Sequence, residues 1–209
     1  MTDFASIHAE YKVKLFQELV NLMETSGWLE NIISQAESNC KLDLGYHHVL
    51  FPDGESQILQ EFENWQDAIM LNTLSKQEKP QKIRAQIALA LENRLMHVIP
   101  KKALINSCAA LLLPQNICAG SKAAGKTSDL IWKYAGDKST DMNYYTKRGL
   151  LLPVYLSARA FYIADNSKNH QDTKDFIKNA LDNIINIASF KNRIKLPKLE
   201  DIPILRLFS

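Results

Sequence analysis

Residues 11–24 read YKVKLFQELVNLME, and this stretch sets the pattern that most of the chain follows. Between Tyr11 and Leu22 the apolar residues recur at spacings of four, four and three, which places their side chains on one face of an α-helix. Gly27 predicts the end of that helix, because glycine favours the position just beyond a helix C-terminus. The stretch therefore predicts an amphipathic helix whose apolar face packs against a core.

Two shorter helices and a turn follow this first helix. The pattern predicts helices over about 29–38 and 44–50. The residues FPDG at 51–54 are a strong turn signal. Together these elements predict a small helix-turn-helix-like head of three helices over residues 1–55.

The predicted elements become longer after residue 55, and none of them shows the sustained alternation of a β-strand. Helical periodicity recurs in five further segments: 58–69, 83–95, 115–135, 139–164 and 172–190. The sequence predicts an all-α fold in which the head joins a helical-bundle body over residues 56–190. A basic and apolar tail follows at 191–209.

The composition excludes several classes of protein. The chain of 209 residues is 46% hydrophobic and 23% charged, the balance of a globular rather than a disordered protein. Its formal net charge of +2 provides no overall attraction to nucleic acid. The apolar runs fall far short of the ~20 residues of a membrane-spanning helix. Cys40, Cys108 and Cys118 lack CxxC spacing, so reduced thiols are expected rather than a disulfide framework or a zinc site.

Residues 120–127, GSKAAGKT, match the phosphate-binding loop pattern Gx4GK[ST]. That chemistry needs a buried β-strand before the loop, so that backbone N–H groups converge on the phosphates. The preceding residues, PQNICA at 114–119, are too few and too polar for a central strand. We interpret the match as accidental and the stretch as part of a helix; an ATPase that binds nucleotide through Lys126 is the alternative.

The head could belong to a DNA-binding protein. Residues 44–52, LGYHHVLFP, resemble the recognition-helix end of TetR-type regulators. Between residues 29 and 64, however, seven acidic residues oppose one basic residue, Lys41, a local charge of −6. DNA binding depends on neutralising phosphates with Lys and Arg, so this region predicts repulsion from a duplex. A TetR-type ligand-sensing transcription regulator remains the alternative function.

The stretch 132–148, WKYAGDKSTDMNYYTKR, is rich in aromatic and charged residues together. Such residues are enriched in interface hot spots, so the stretch is a candidate docking surface. Asp137 and Asp141 are spaced by four, but helix capping explains them better than a pair of catalytic carboxylates. The sequence contains no recognisable catalytic arrangement, and we predict a protein that is not an enzyme, with no metal site and no cofactor. The apolar residues at 150–156 predict a helix that is central in the bundle or lines an apolar cavity.

At these residues the chain resembles a known family. The segments LLLPQN at 111–116, SDLIW at 128–132 and AGDKSTDMNYYTKR at 135–148, with Tyr155 and Asp165 after them, resemble the accessory proteins of ubiquinone biosynthesis, namely the ninth Coq protein and its bacterial relatives. The resemblance implies a TetR-like fold without gene regulation. It also implies a homodimer that binds lipids, which would be isoprenoid quinone intermediates or phospholipid. The homodimer would present substrate to the di-iron demethoxyubiquinone hydroxylase.

The resemblance also implies particular site residues. The surface facing the hydroxylase would comprise Asp137, Asp141, Tyr144, Tyr145, Lys147 and Arg148. For the lipid cavity we expect lining residues from several predicted helices: Leu91, Leu95, Trp132, Leu151, Tyr155 and Leu156.

The sequence departs from the family at three places. Pro153 lies inside a predicted helix and should kink it. Relatives tend to carry Thr-Trp where this chain has Thr173 followed by lysine. In the tail, Pro197 and Pro203 interrupt what would be one amphipathic helix. The tail is expected either to bind an anionic membrane surface peripherally or to pack across the bundle or a dimer partner. The N-terminal sequence favours a bacterial cytoplasm, peripheral to the inner membrane, over a mitochondrial matrix.

Overall fold

The computed structural model describes residues 4–28, 31–140 and 142–193, and every regular element in these ranges is helical. The all-α prediction is therefore confirmed. The elements, in chain order, are α1 (Phe4–Thr25), α2 (Ile32–Asn39), α3 (His47–Leu50), α4 (Glu55–Ser75), α5 (Ile83–Met96), α6 (Lys101–Leu111), α7 (Ile117–Tyr134), α8 (Met142–Ala164), a short 3₁₀ turn (Lys168–His170) and α9 (Gln171–Arg193).

The sequence pattern located most of these helices but missed α6. This helix begins directly after Pro100, beyond the end of the segment predicted at 83–95. A proline just before the first helical turn is compatible with a helix, because its missing N–H is not needed there. The buried side of α6 is made mostly of small residues, Ala103, Ser107 and Ala110 with Leu104 and Leu111, which is a weaker signal than a stripe of large apolar residues.

The head and the body share one core. A continuous apolar cluster extends from Leu15 in α1 to Leu181 in α9. In the head, the ring of Phe16 lies 5.8 Å from the ring of Phe51 and 5.7 Å from that of Phe62, centroid to centroid. Because Phe62 belongs to α4, this helix links the head to the rest of the bundle.

The longer helices form the body. Helix α4 packs against α5 and α7, α7 against α8, and α8 against α9. A small three-helix head followed by a bundle of longer helices is the TetR-like arrangement that the sequence predicted. Helix α8 is continuous through Pro153. In the part of the chain that the structure describes, no helix combines the length and the apolar character needed to cross a bilayer.

Candidate functional site

An open apolar groove of about 370 Å³ lies between α6, α7 and α8. In the part of the chain that the structure describes, its walls contain small and aliphatic side chains and a single charged residue, Arg159. The lining residues are Cys108, Leu111, Leu112, Ile117, Gly120, Ser121, Ala124, Leu152, Leu156, Arg159, Ala160 and Ile163. Leu112 is 76% exposed, Ile117 50% and Leu156 47%, which is unusual for large aliphatic side chains that converge on one depression. The groove is therefore the strongest candidate for a hydrocarbon-binding site.

The residues expected to line a lipid cavity are mostly elsewhere. Leu91, Leu95, Leu151 and Tyr155 are fully buried in the packed core and do not line the groove. Trp132 is half-buried, and its indole N–H donates to the carbonyl oxygen of Lys147 at 3.0 Å. Leu156 is the one residue of the six that lies in the groove wall.

The two faces of α8 explain this difference. Leu151, Tyr155 and Ala158 are buried and face the core, whereas Leu152, Leu156 and Ala160 line the groove. Because this segment is apolar around nearly the whole helix, periodicity could not distinguish the two faces. The sequence pattern did not show where α6 lies, and α6 forms the wall of the groove that faces α8.

A network of buried charges lies in the core behind the groove. Arg94 on α5 donates from Nε to Asp67 at 2.8 Å and from Nη2 to Glu63 at 2.7 Å, both on α4. It also donates from Nη1 to the side-chain oxygen of Gln66 at 2.7 Å. These four side chains are almost completely inaccessible to solvent. The spacing of Glu63, Gln66 and Asp67 on one face of a long helix was the available signal for this network, and our sequence analysis missed it.

Arg159 connects this network to the groove. Its two terminal nitrogens donate to the two carboxylate oxygens of Glu63, at 2.9 and 3.2 Å. Burial alone would raise the pKa of Glu63, but Arg159 and Arg94 outweigh it and hold the pKa below its ordinary value. Burial raises the pKa of Asp67, because Arg94 and Thr127 offset only part of the desolvation. Two buried polar atoms nearby have no hydrogen-bond partner in the part of the molecule described. They are Nε of Arg159 and the hydroxyl oxygen of Tyr155.

A second polar cluster joins the end of α7 to the start of α8. Arg148 donates from Nε to Asp129 at 2.7 Å and from Nη1 to Asp137 at 2.8 Å. Lys147 and Ser139 also donate to Asp137, at 2.6 and 2.8 Å. We call Asp129, Asp137, Tyr144, Lys147 and Arg148 the interhelical clamp. Its contacts hold the loop between the two helices.

The clamp includes most of the residues that we expected to face a partner. The carboxylate of Asp137 is nearly inaccessible, and burial alone would raise its pKa. The hydrogen bonds from Lys147, Arg148 and Ser139 outweigh burial and hold the pKa of Asp137 well below its ordinary value. Tyr144 is half-buried, with the guanidinium carbon of Arg148 3.5 Å from its ring centroid.

Tyr145 differs from the rest of this set. It is 69% exposed and contacts Tyr144 edge to face. Lys147 is partly exposed, although its ammonium group pairs with Asp137. Asp141 lies outside the residues that the structure describes. The accessible part of the expected docking surface therefore centres on Tyr145.

The phosphate-loop match lies inside α7, as the sequence analysis expected. Lys126 is exposed, while Thr127 is fully buried and donates its hydroxyl to Asp67. A helix commits its interior backbone N–H groups to its own hydrogen bonds, so they cannot converge on a phosphate.

The third helix of the head is a single turn. Helix α3 covers only His47–Leu50, shorter than the 44–50 that we predicted. Glu37 on α2 accepts hydrogen bonds from the backbone N–H groups of Gly45 and His47, at 3.1 and 2.5 Å. Burial opposes ionisation of Glu37, but these N–H groups and the His47 ring hold its pKa below the ordinary value. One turn is short for a recognition helix, which reads bases from several successive side chains.

A family model and several individual relatives all match this chain, and all of them carry the same name, COQ9. Residues 117–188, which cover α7, α8 and most of α9, match the COQ9 family model. The probable ubiquinone biosynthesis protein coq9, mitochondrial, of Dictyostelium discoideum is 30% identical over 206 residues, covering 89% of this chain and 63% of that protein. The mitochondrial ubiquinone biosynthesis protein COQ9 of Rattus norvegicus is 28% identical over 181 residues, covering 81% of this chain and 57% of the relative.

A third relative is the mitochondrial ubiquinone biosynthesis protein COQ9-A of Xenopus laevis. It is 31% identical over 169 residues, which cover 74% of this chain and 51% of that relative. The chain thus spans between about half and just under two thirds of the length of these relatives. The family resemblance seen in the signature residues is confirmed, since this chain carries a COQ9-family region at residues 117–188 and is similar to COQ9 proteins along most of its length.

Proposed function

We propose that this protein takes part in ubiquinone biosynthesis as a non-catalytic accessory protein. It holds an isoprenoid quinone intermediate by its hydrocarbon tail and presents the ring to the demethoxyubiquinone hydroxylase. The relatives named as ubiquinone biosynthesis proteins support the pathway. The observation that carries the lipid-binding part is the apolar groove, two of whose walls, α7 and α8, lie within the COQ9-family region.

The groove suits an isoprenoid tail for a physical reason. Each buried CH₂ group gains about 0.8 kcal/mol, so even a short length of tail gains several kcal/mol. The exposed side chains of Leu112, Ile117 and Leu156 lose their contact with water at the same time. A site of this kind needs no catalytic group, because its contribution is to keep an insoluble tail out of water.

Lipid extraction from the purified protein tests this function. Mass spectrometry should recover an isoprenoid quinone or a phospholipid from the wild-type chain. Leu156→Glu places a carboxylate in the groove wall and should remove most of the bound lipid. Leu44→Glu makes the same change at an exposed leucine of the head and should leave the lipid in place. A wild-type protein that is free of lipid and takes up no quinone would contradict the proposal.

For the hydroxylase, we propose that Tyr145 is the centre of the docking surface. An exposed tyrosine is typical of an interface hot spot. Tyr145→Asp should abolish co-purification of the hydroxylase without changing the unfolding free energy. Tyr144→Asp is a poorer test, because it also removes a hydrogen bond of the interhelical clamp. Unchanged co-purification with Tyr145→Asp would exclude this surface.

Dimerisation and peripheral membrane contact remain proposals as well. The tail at 191–209, to which we assign the membrane contact, lies almost entirely outside the described residues. Co-sedimentation of the whole chain with vesicles containing phosphatidylserine tests the contact, and it should weaken with salt because the tail is basic. Analytical ultracentrifugation tests the dimer.

A further inference from the structure

We infer that Arg159 determines which lipid head the groove accepts, by donating a hydrogen bond to an uncharged acceptor oxygen such as a carbonyl. The inference rests on the proposed function in one respect, that the groove binds a hydrocarbon chain. It adds a named residue and a class of head group, namely a neutral oxygen acceptor rather than a phosphate or carboxylate.

Arg159 has unused hydrogen-bonding capacity. Among the described residues of the groove wall it is the one that carries a charge, and its residue surface is more than nine-tenths buried. A guanidinium group has five N–H donors. Two of them bind Glu63, and Nε has no acceptor among the residues described. A buried donor without an acceptor costs free energy, so an oxygen atom supplied by a ligand would be stabilising here.

The pair of Arg159 and Glu63 has a defined geometry. Glu63 holds the two terminal nitrogens of Arg159 from the core side, which fixes the plane of the guanidinium group. The other described residues of the groove lining, among them Cys108, Leu111 and Leu156, offer no carboxylate that would compete for Arg159. Nε is buried, so a ligand oxygen that reaches it would meet an oriented donor in a largely apolar setting, where a hydrogen bond is strong.

The charge balance of the network favours a neutral head group over an anionic one. Glu63 and Asp67 supply two negative charges, and Arg94 and Arg159 supply two positive charges. The network is therefore already neutral without a ligand. A phosphate would bring a further charge with no partner into a poorly solvated site, which is costly. A quinone carbonyl needs a donor but brings no charge.

Equilibrium dialysis of the whole chain with three ten-carbon ligands tests the inference. The ligands are 2-decyl-1,4-benzoquinone, decylbenzene and decyl phosphate, all at concentrations where they do not aggregate. In Arg159→Met the quinone affinity should fall about tenfold, which corresponds to about 1.4 kcal/mol, the size of one charge-assisted hydrogen bond. Decylbenzene affinity should stay within about twofold, because its hydrocarbon contacts are unchanged.

A double variant tests the same inference in case Arg159→Met alone misfolds. Glu63→Gln combined with Arg159→Met removes one charge of each sign and leaves the pair of Arg94 and Asp67 in place. It should show the same selective loss of quinone. Leu156→Ala is the control for the groove itself and should weaken all three ligands by a similar factor.

Each outcome decides the inference. Selective loss of the quinone supports it. Equal loss of all three ligands, or no loss, overturns the role of Arg159 while hydrocarbon binding stands. Tightest binding of decyl phosphate by the wild-type protein overturns the neutral-head assignment alone. If the wild-type protein binds none of the three, the proposed lipid-binding function and this inference both fail.

Discussion

The hydroxyl group of Thr127 lies 3.0 Å from both carboxylate oxygens of Asp67, and this contact joins α7 to α4 inside the core. Thr127 is the last residue of the stretch that matches a phosphate-binding loop. In such a loop the hydroxyl group would bind a metal ion, whereas here it binds a buried carboxylate. The same residue type therefore has a structural role in this fold.

The first prediction concerns this contact. Thr127→Val keeps the shape of the side chain but removes the hydroxyl donor from a buried carboxylate. We expect the free energy of unfolding to fall by about 1–3 kcal/mol. Urea denaturation measures it, with Lys126→Ala as a matched control at an exposed position of the same helix. Equal stability of the two variants would show that Asp67 does not depend on Thr127.

The second prediction concerns the buried charge network. Arg94→Met removes the cation that pairs with Glu63 and Asp67. Glu63 then keeps only Arg159, and Asp67 has no cationic partner among the described residues. We expect a loss of about 3–5 kcal/mol in unfolding free energy. The control is Arg84→Met, which breaks the exposed pair of Arg84 with Asp182 and should cost about 1 kcal/mol or less. A small effect at Arg94 would mean that water replaces the guanidinium group.

The third prediction concerns the pH dependence of the interhelical clamp. Because the pKa of Asp137 is lowered by folding, the unfolded chain takes up a proton at this residue before the folded chain does. The stabilisation by Asp137 is therefore complete above the pKa of an unfolded aspartate, about 3.9, and is lost as the pH falls through the lower folded pKa. At neutral pH, Asp137→Asn should lower the unfolding free energy by about 1.5–3 kcal/mol.

The measurement is urea denaturation of both proteins at several pH values. The difference between wild type and Asp137→Asn should be largest at pH 6–7 and should shrink as the pH is lowered from about 5 towards 2. A difference that does not change with pH would show that the charge of Asp137 contributes nothing. Lys147→Met is a useful companion, because it removes one donor and should reduce the same pH dependence.

The fourth prediction separates the two adjacent tyrosines. Tyr144 donates its hydroxyl to Asp129 at 3.1 Å, so Tyr144→Phe should lower the unfolding free energy by about 0.5–1.5 kcal/mol. Tyr145 is exposed, so Tyr145→Phe should change it by no more than about 0.5 kcal/mol. Thermal unfolding checks both. The reverse order would mean that Tyr145 makes the structural contact and Tyr144 is available to a partner.

The candidate site shows where sequence reasoning reached its limit. The stretch around Asp137 and Arg148 stands out in the sequence, and we interpreted it as a docking surface. In the structure these two residues bind each other, which is possible because Gly136 and the following residues bring the end of α7 close to the start of α8. Glu63 lies far along the chain from Arg94 and Arg159, so the polar face of α4 could signal a buried network but not which cations pair with it.

Sequence patterns were enough to locate most helices, to assign the phosphate-loop match to one of them and to recognise the family that the chain resembles. Those conclusions depend on the spacing of apolar residues and on short contiguous motifs, both of which are local properties. The pairing of polar residues, and the face of α8 that is open to solvent, follow from how the helices pack. Helix α6 and the partners of Arg159 are brought to that face by folding, and contacts between distant segments leave no periodic pattern in the chain.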